Sequence, residues 1–200
     1  MKRNKFLTVL KIIFYPIYRL IFWYSVEGME NIPKEGGVIF CANHISIFDP
    51  VLWVIVIRRR ICFMAKKEFF QNKLSAWLFR KLDVFPVDRE GKDLKAIKTA
   101  IKTVKDGNIL GIYPEGTRSK DGKPHEAKAG VAYIARSCKC DVIPVAMRCK
   151  GKLRPFKRVK LVVGKPISQA ELFPADLPRN ELQIPADYIM NKIKEIWENI

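Results

Sequence analysis

Negative charge is scarce in this chain: twenty Asp and Glu stand against thirty-seven Lys and Arg, giving a formal charge of +17. Such an imbalance implies an anionic partner, whether nucleic acid, an anionic bilayer surface or phosphorylated substrates. Histidine is scarcer still, limited to His44 and His125. The five cysteines, an odd number without a C-x-x-C pair, argue against a disulfide framework and against a zinc site. Cys41 and Cys62 fall inside apolar runs and read as small buried hydrophobes of a reducing compartment. No metal-spaced ligand set surrounds either histidine, so neither a metal nor a bound cofactor is expected. The chain also lacks internal repeats, low-complexity linkers, and any recognisable nucleic-acid module or aromatic platform. The anionic partner is therefore expected to be lipid or substrate rather than nucleic acid.

An uninterrupted membrane-spanning run is missing too. The most lipophilic stretch, residues 5–24, is broken by Lys11 and Arg19 and carries Pro16, whereas a span needs roughly 18 or more nearly continuous apolar residues. On a helical projection Lys5, Thr8, Lys11, Tyr15 and Arg19 share one arc, opposite Phe6, Leu10, Ile13, Phe14, Ile17 and Ile21. A basic strip facing an aliphatic one suits a helix lying in the interface of an anionic bilayer. A helix packed on its own domain, a true span and a signal peptide are the competing readings. Trp23 and Tyr24 suit the headgroup level. The expected division is an interfacial helical segment over 1–24 and one further domain over 25–200. The expected location is the cytoplasmic face of the cell membrane, with the protein peripheral or monotopic.

With 200 residues, 48% of them apolar, the chain can bury a core without staples. From residue 37 onward apolar runs alternate with helical periods. Strands are expected at 37–43, 61–66, 83–89, 108–114, 140–148 and 159–165. Helices are expected from Asp49-Pro50 through the RRR at 58–60, near 72–82, and over 92–106, 127–137 and 184–198. Asp49 reads as an N-cap with Pro50 at the first helical position. The alternation predicts an α/β fold with a mainly parallel central sheet flanked by helices. In such sheets ligands gather at the carboxyl ends of strands.

Four groups stand just after strands. Asn43-His44-Ile-Ser-Ile-Phe-Asp49 places a carboxylate five residues from an imidazole, within reach in a turn entering a helix. The carboxylate can fix the tautomer and leave the far nitrogen as a general base on a hydroxyl. The bland alternative is a core histidine beside a plain helix cap. Tyr113-Pro-Glu115-Gly116-Thr117-Arg118-Ser119 combines a glycine that permits close approach with a planar guanidinium suited to phosphate. Val84-Phe-Pro-Val-Asp88-Arg89 ends in a basic residue, and Pro86 points to an edge strand. Val142-Ile-Pro-Val-Ala146 is a strand without chemistry of its own. Arg58-Arg59-Arg60 and the basic run at 150–160 read as solvated faces or as docking surfaces for an anionic partner. His125 reads as an exposed bystander in a loop.

In order and spacing these groups resemble the lysophosphatidic acid acyltransferase family, within the wider glycerolipid acyltransferases. Asn43–Asp49 is similar to its N-H-x-S-x-x-D block, Val84–Arg89 to its second block and Tyr113–Ser119 to its F-P-E-G-T-R-S block. Val142–Ala146 is similar to its V-I-P-V-A block, and the likeness runs over about residues 25–165. Tyr113 replaces the usual Phe, and Ala127 replaces the Phe of an F-K-x-G segment. The resemblance implies that His44 is the base and Asp49 its support. It implies that Arg89, Glu115, Gly116, Thr117, Arg118 and Lys128 build the acceptor site. The implied reaction moves a fatty acyl group from acyl carrier protein or coenzyme A to the sn-2 hydroxyl of lysophosphatidate, with no acyl-enzyme. Another lysolipid or glycerol 3-phosphate as acceptor, or a non-catalytic basic lipid-binding protein, remain the alternatives.

Overall fold

The computed structural model describes residues 5–21, 23–89, 91, 93–149 and 156–200. Helix α1 (Lys5–Ile21) leads into strand β1 (Trp23–Glu27), and β2 (Val38–Ala42) is followed by α2 (Asp49–Val56). Strand β3 (Ile61–Lys66), a 3-10 turn at Lys67–Phe70, α3 (Lys73–Lys81) and β4 (Val84–Val87) come next. Then follow α4 (Leu94–Lys105), β5 (Ile109–Ile112), α5 (Gly130–Cys138), β6 (Val142–Cys149) and β7 (Arg158–Val163). A short α6 (Gln169–Leu172) and α7 (Gln183–Glu198) end the chain.

Among the described residues seven strands form one sheet in the order β1-β7-β6-β2-β5-β3-β4. From β6 to β4 every pairing is parallel; β7 runs antiparallel to β6, and β1 runs parallel to β7. The mainly parallel α/β arrangement is thus observed. Strand β2 lies mid-sheet with all five residues buried, as expected of a strand covered by helices on both faces. Its side chains alternate between two cores. Val38, Phe40 and Ala42 join Leu52 and Trp53 of α2, while Ile39 and Cys41 join α4, α5 and α7. Phe40 meets Trp53 edge-on at 4.8 Å. Facing the other core, Ala100, Ala132, Ala135 and Ala186 are fully buried, small residues that let three helices lie close to the sheet.

The differences from the sequence reading are local. Strand β1 was not anticipated: Trp23 and Tyr24 pair with Arg158 and Val159, and Tyr24 is buried rather than displayed at a headgroup level. The boundary expected after residue 24 falls inside this strand. Helix α2 stops at Val56 instead of running through the arginines. Arg59 donates to the backbone oxygens of Pro33, Glu35, Gly36 and Gly107. Arg60 grips Asp83 with two bonds of 2.9 and 2.5 Å. These two guanidiniums staple loops together rather than forming a solvated face. Two basic residues of helix α1 bond to the domain. Lys11 Nζ donates to Ile57 O at 2.7 Å, and Arg19 reaches Tyr24 O and lies over the Tyr24 ring. Val9, Ile12, Ile13, Ile17 and Leu20 are left exposed. Among the described residues no helix is long and apolar enough to cross a membrane. Most of the basic run at 150–160 lies outside the described residues.

Gly111 in β5 has a steric purpose, since an added Cβ would stand 2.2 Å from the Phe63 ring. Gly111→Ala is expected to destabilise the protein by about 2 kcal/mol through overpacking, read as a lowered urea midpoint. Shrinking the neighbour as well, by Phe63→Leu, should recover part of the loss.

Candidate active site

Four parallel strands deliver loops to one edge of the sheet: β2 the loop of His44, β5 that of Tyr113, β3 that of Lys67 and β4 that of Arg89. At the centre of that edge Asp49, fully buried, binds His44 Nδ1 through Oδ2 at 2.8 Å. The same oxygen accepts the backbone amides of Ile45 and Ser46, each at 2.7 Å. Asp49 is therefore not the helix cap expected of it; Phe48 occupies the cap position and Asp49 is the first helical residue. Its side chain folds back onto the preceding loop, where two amides and an imidazole converge. With Asp49 a carboxylate, Nδ1 carries the ring proton and Nε2 is the acceptor nitrogen.

Other contacts fix the ring. Tyr113 stacks on His44 with centroids 4.0 Å apart and planes 16° from parallel, and Phe63 continues the stack at 5.9 Å. Ser119 N donates to His44 O at 2.7 Å, tying the β2 and β5 loops together. Asn43 is buried and bonds Met147 in both directions, Nδ2 to O at 2.9 Å and Oδ1 from N at 2.7 Å. The His44 side chain keeps 12% of its surface exposed, enough for a small reacting group to reach it.

Glu115 follows on the β5 loop and is 5% exposed. Its Oε1 accepts from His44 N at 3.4 Å. Burial pushes its carboxyl up from 4.5 to about 7, opposed by the His44 amide and helped by the Asp49 charge. Beside it, Gly116 adopts a left-handed φ of 71° and leaves room for the Lys128 side chain, whose Cε would stand 3.1 Å from an added Cβ. Lys128 N donates to Pro114 O at 2.9 Å, which brings the two blocks together. Ala127, where a larger aromatic was the expected pattern, is buried at 6% and joins the α4–α5–α7 core.

Glu115, Thr117, Arg118 and Lys128 line a cleft of about 830 Å³, with His125 and Lys194 on its walls. Five of the eight residues singled out from the sequence thus form the dyad's flank, counting Gly116 under Lys128, and His44 and Asp49 form the dyad itself. Arg89 stands apart. It is exposed on the turn after edge strand β4, two strands from β5 and its Glu115–Arg118 loop, which is roughly 10 Å along the sheet. His125, read as a bystander, belongs to the cleft wall, where its Nε2 meets Asp121 Oδ1 at 2.9 Å. Tyr113 and Phe63 were not foreseen as supports of the ring; an aromatic at the end of an apolar strand was the only signal. A larger hollow of about 1000 Å³ lies across β6 and β7, lined by Arg19, Trp23, Arg148 and Arg158 among others. His44 lines neither hollow, but the smaller cleft adjoins it through Glu115 and Ser119, which bond the His44 backbone. No cluster of metal-binding side chains occurs among the described residues.

The folded chain holds the Glu115 proton more tightly than the unfolded chain. Stability from this group is therefore full below about 4.5 and is lost as pH rises toward about 7. Glu115→Gln carries no such charge. Relative to the wild type its unfolding free energy should gain about 2 kcal/mol between acidic and mildly alkaline pH, measured by denaturant titration at both. A pH-independent difference would show that the carboxyl ionises normally.

Comparisons with known proteins identify the family. A family model described as acyltransferase matches residues 24–148. A 1-acyl-sn-glycerol-3-phosphate acyltransferase of Bacillus subtilis is 37% identical over 178 residues, covering 86% of this chain and 87% of that protein. One from Streptococcus pneumoniae is 32% identical over 166 residues, covering 76% of this chain and 61% of the relative. The crystal structure of the 1-acyl-sn-glycerophosphate acyltransferase PlsC from Thermotoga maritima superposes with a TM-score of 0.74 at 26% identity. That superposition covers 97% of this chain and 79% of the other. With the match spanning β1 to β6 and enclosing both the dyad and the Glu115–Arg118 loop, the chain belongs to the acyltransferase family.

Proposed function

We propose that this protein transfers a fatty acyl group from a thioester to the sn-2 hydroxyl of lysophosphatidate, giving phosphatidate. The observation that carries the reading is the His44–Asp49 pair, bonded at 2.8 Å, beside a cleft walled by Arg118 and Lys128. The relatives' names supply the acceptor: each of those compared is a 1-acylglycerol-phosphate acyltransferase.

In this mechanism His44 Nε2 takes the proton of the acceptor hydroxyl while the oxygen bonds to the thioester carbonyl carbon. Asp49, locked by two amides, holds the imidazole's tautomer and stabilises the imidazolium. The tetrahedral oxyanion collapses, the C–S bond breaks, and the thiolate takes the proton back from His44. The acceptor phosphate is gripped by Arg118, whose planar fork matches phosphate oxygens, with Lys128 adding a point charge. Thr117 offers a hydroxyl at the same wall, and the left-handed turn at Gly116 keeps the loop's backbone open to the ligand. Glu115, its carboxyl pushed up to about 7 by burial, can donate to the acceptor in its protonated form without repelling the phosphate. Arg89, on the loop two strands from that of Arg118, adds a further cation for the acceptor phosphate from the same edge. The thioester donor is acyl carrier protein or coenzyme A, both anionic and both suited to a chain of charge +17. The protein works on the cytoplasmic leaflet of the cell membrane, held in part by the exposed apolar stripe of α1.

His44→Ala should lower kcat for lysophosphatidate by at least about a hundredfold, the usual worth of a general base, with circular dichroism unchanged. Near-normal turnover would remove His44 from the proton transfer. Arg118→Ala should raise the acceptor KM about tenfold or more and leave the donor KM close to wild type, in keeping with a lost charged hydrogen bond. An unchanged acceptor KM would place the phosphate elsewhere.

A further inference from the structure

Helix α3 exposes what a water-facing helix normally hides. Leu74, Trp77 and Leu78 are 73%, 50% and 41% exposed, and their i, i+3, i+4 spacing aligns them in one ridge. Phe69, in the turn just before, adds a fourth apolar side chain at 46%. The ridge is rigidly mounted. Asn72 caps α3 by accepting Leu74 N at 2.8 Å, and Ser75 Oγ donates to Phe69 O at 2.8 Å. The Phe79 ring packs against Phe69 and Phe70 at 5.6 and 5.4 Å. Neither the turn nor the helix can roll to bury the ridge without breaking these contacts.

Its flanks are basic. Residues 66–81 hold five Lys and Arg against one Glu, and Lys73, Arg80 and Lys81 are exposed on α3 itself. Apolar side chains including a tryptophan, bordered by cations, are the composition that seats a helix at an anionic lipid interface. A second copy of this chain is the poorer occupant, because two such flanks would bring like charges together on molecules of charge +17. Position strengthens the case. Helix α3 and its turn begin where β3 ends, at the edge where β2 ends in His44. At that same edge Ile47 and Phe48, directly after His44, are 55% and 41% exposed.

We propose that α3 is a bilayer-contact element separate from α1, whose apolar ridge and basic flanks set the catalytic edge of the sheet down on an anionic lipid surface. The orientation lets an acceptor lipid reach His44 from the membrane plane without leaving it. This rests on the reading of the acceptor as a bilayer lipid.

The test uses the full chain carrying Leu74→Ser together with Trp77→Ser. Partition into phosphatidylglycerol–phosphatidylcholine vesicles should weaken by at least about tenfold. Transfer to lysophosphatidate presented as monomers, below its micelle concentration, should be unchanged, which also reports that the variant folds. A second, gentler variant, Trp77→Phe, should lose the tryptophan fluorescence component that brominated lipids quench in the wild type. Vesicle affinity within twofold of wild type, or no quenching assignable to Trp77, overturns the proposal. So does a concentration-dependent dimer that the double variant abolishes while its vesicle affinity stays intact. If the wild type transfers nothing to monomeric lysophosphatidate yet the double variant still loses the vesicles, the acyl-transfer reading fails and the α3 contact stands.

Discussion

One oxygen atom organises the catalytic edge. Asp49 Oδ2 receives two backbone amides and an imidazole nitrogen, all within 2.8 Å. The two amides belong to the loop that must turn sharply between β2 and α2, so the carboxylate both shapes the turn and aims the ring. Bonds from neutral donors to an ionised acceptor are the stronger kind, and here they lie where water has little access. The five-residue spacing between His44 and Asp49 is thus a backbone requirement as much as a chemical one. Were the carboxylate lost, the Ile45 and Ser46 amides would lose their acceptor while the imidazole lost its orientation.

A second chain of causes runs through packing. Gly111 has no side chain, which makes space for the Phe63 ring. Phe63 supports Tyr113, and Tyr113 supports His44 by stacking. Strands β3, β5 and β2 are neighbours in that order, so the stack runs across the sheet edge in line with the strand order. The polar restraint from Asp49 acts in the plane of the imidazole, and the aromatic restraint acts on its face. Together they leave the ring little freedom except at Nε2, where a general base has to be open. The chemical groups of the cleft then follow on the β5 loop, whose left-handed turn at Gly116 lets Lys128 cross it.

The sequence pattern foretold the alternating elements to within a few residues, because buried parallel strands such as β2 are continuous apolar runs and α4 has clear helical spacing. It also set Asp49 within reach of His44, and the family resemblance joined that pair to the Glu115–Arg118 loop. What it missed depends on tertiary partners. Trp23–Glu27 became a strand because β7 offers it an edge, and nothing local announces that. Arg59 and Arg60 looked like a surface run until the carbonyls of distant loops and Asp83 claimed them. Asp49 had every feature of a helix cap, and only the convergence of two amides and a ring turned its side chain the other way. Arg89 and Arg118 looked alike as arginines after strands, but strand order, which no periodicity encodes, puts one on the edge strand and the other beside the dyad. His125 entered the cleft wall by the path of a loop whose composition suggested only solvent.

The two-way bond between Asn43 and Met147 has a consequence for how the protein loses activity. A side-chain amide here behaves as one more rung of the β2–β6 ladder, so the residue preceding the base is built into the middle of the sheet. Loops at catalytic edges commonly open on their own, at a fraction of the energy of global unfolding. This one is denied that freedom at its root, because freeing it means parting two central strands. Heat inactivation and cooperative melting should then coincide in a single transition, with no active-site breathing that precedes collapse.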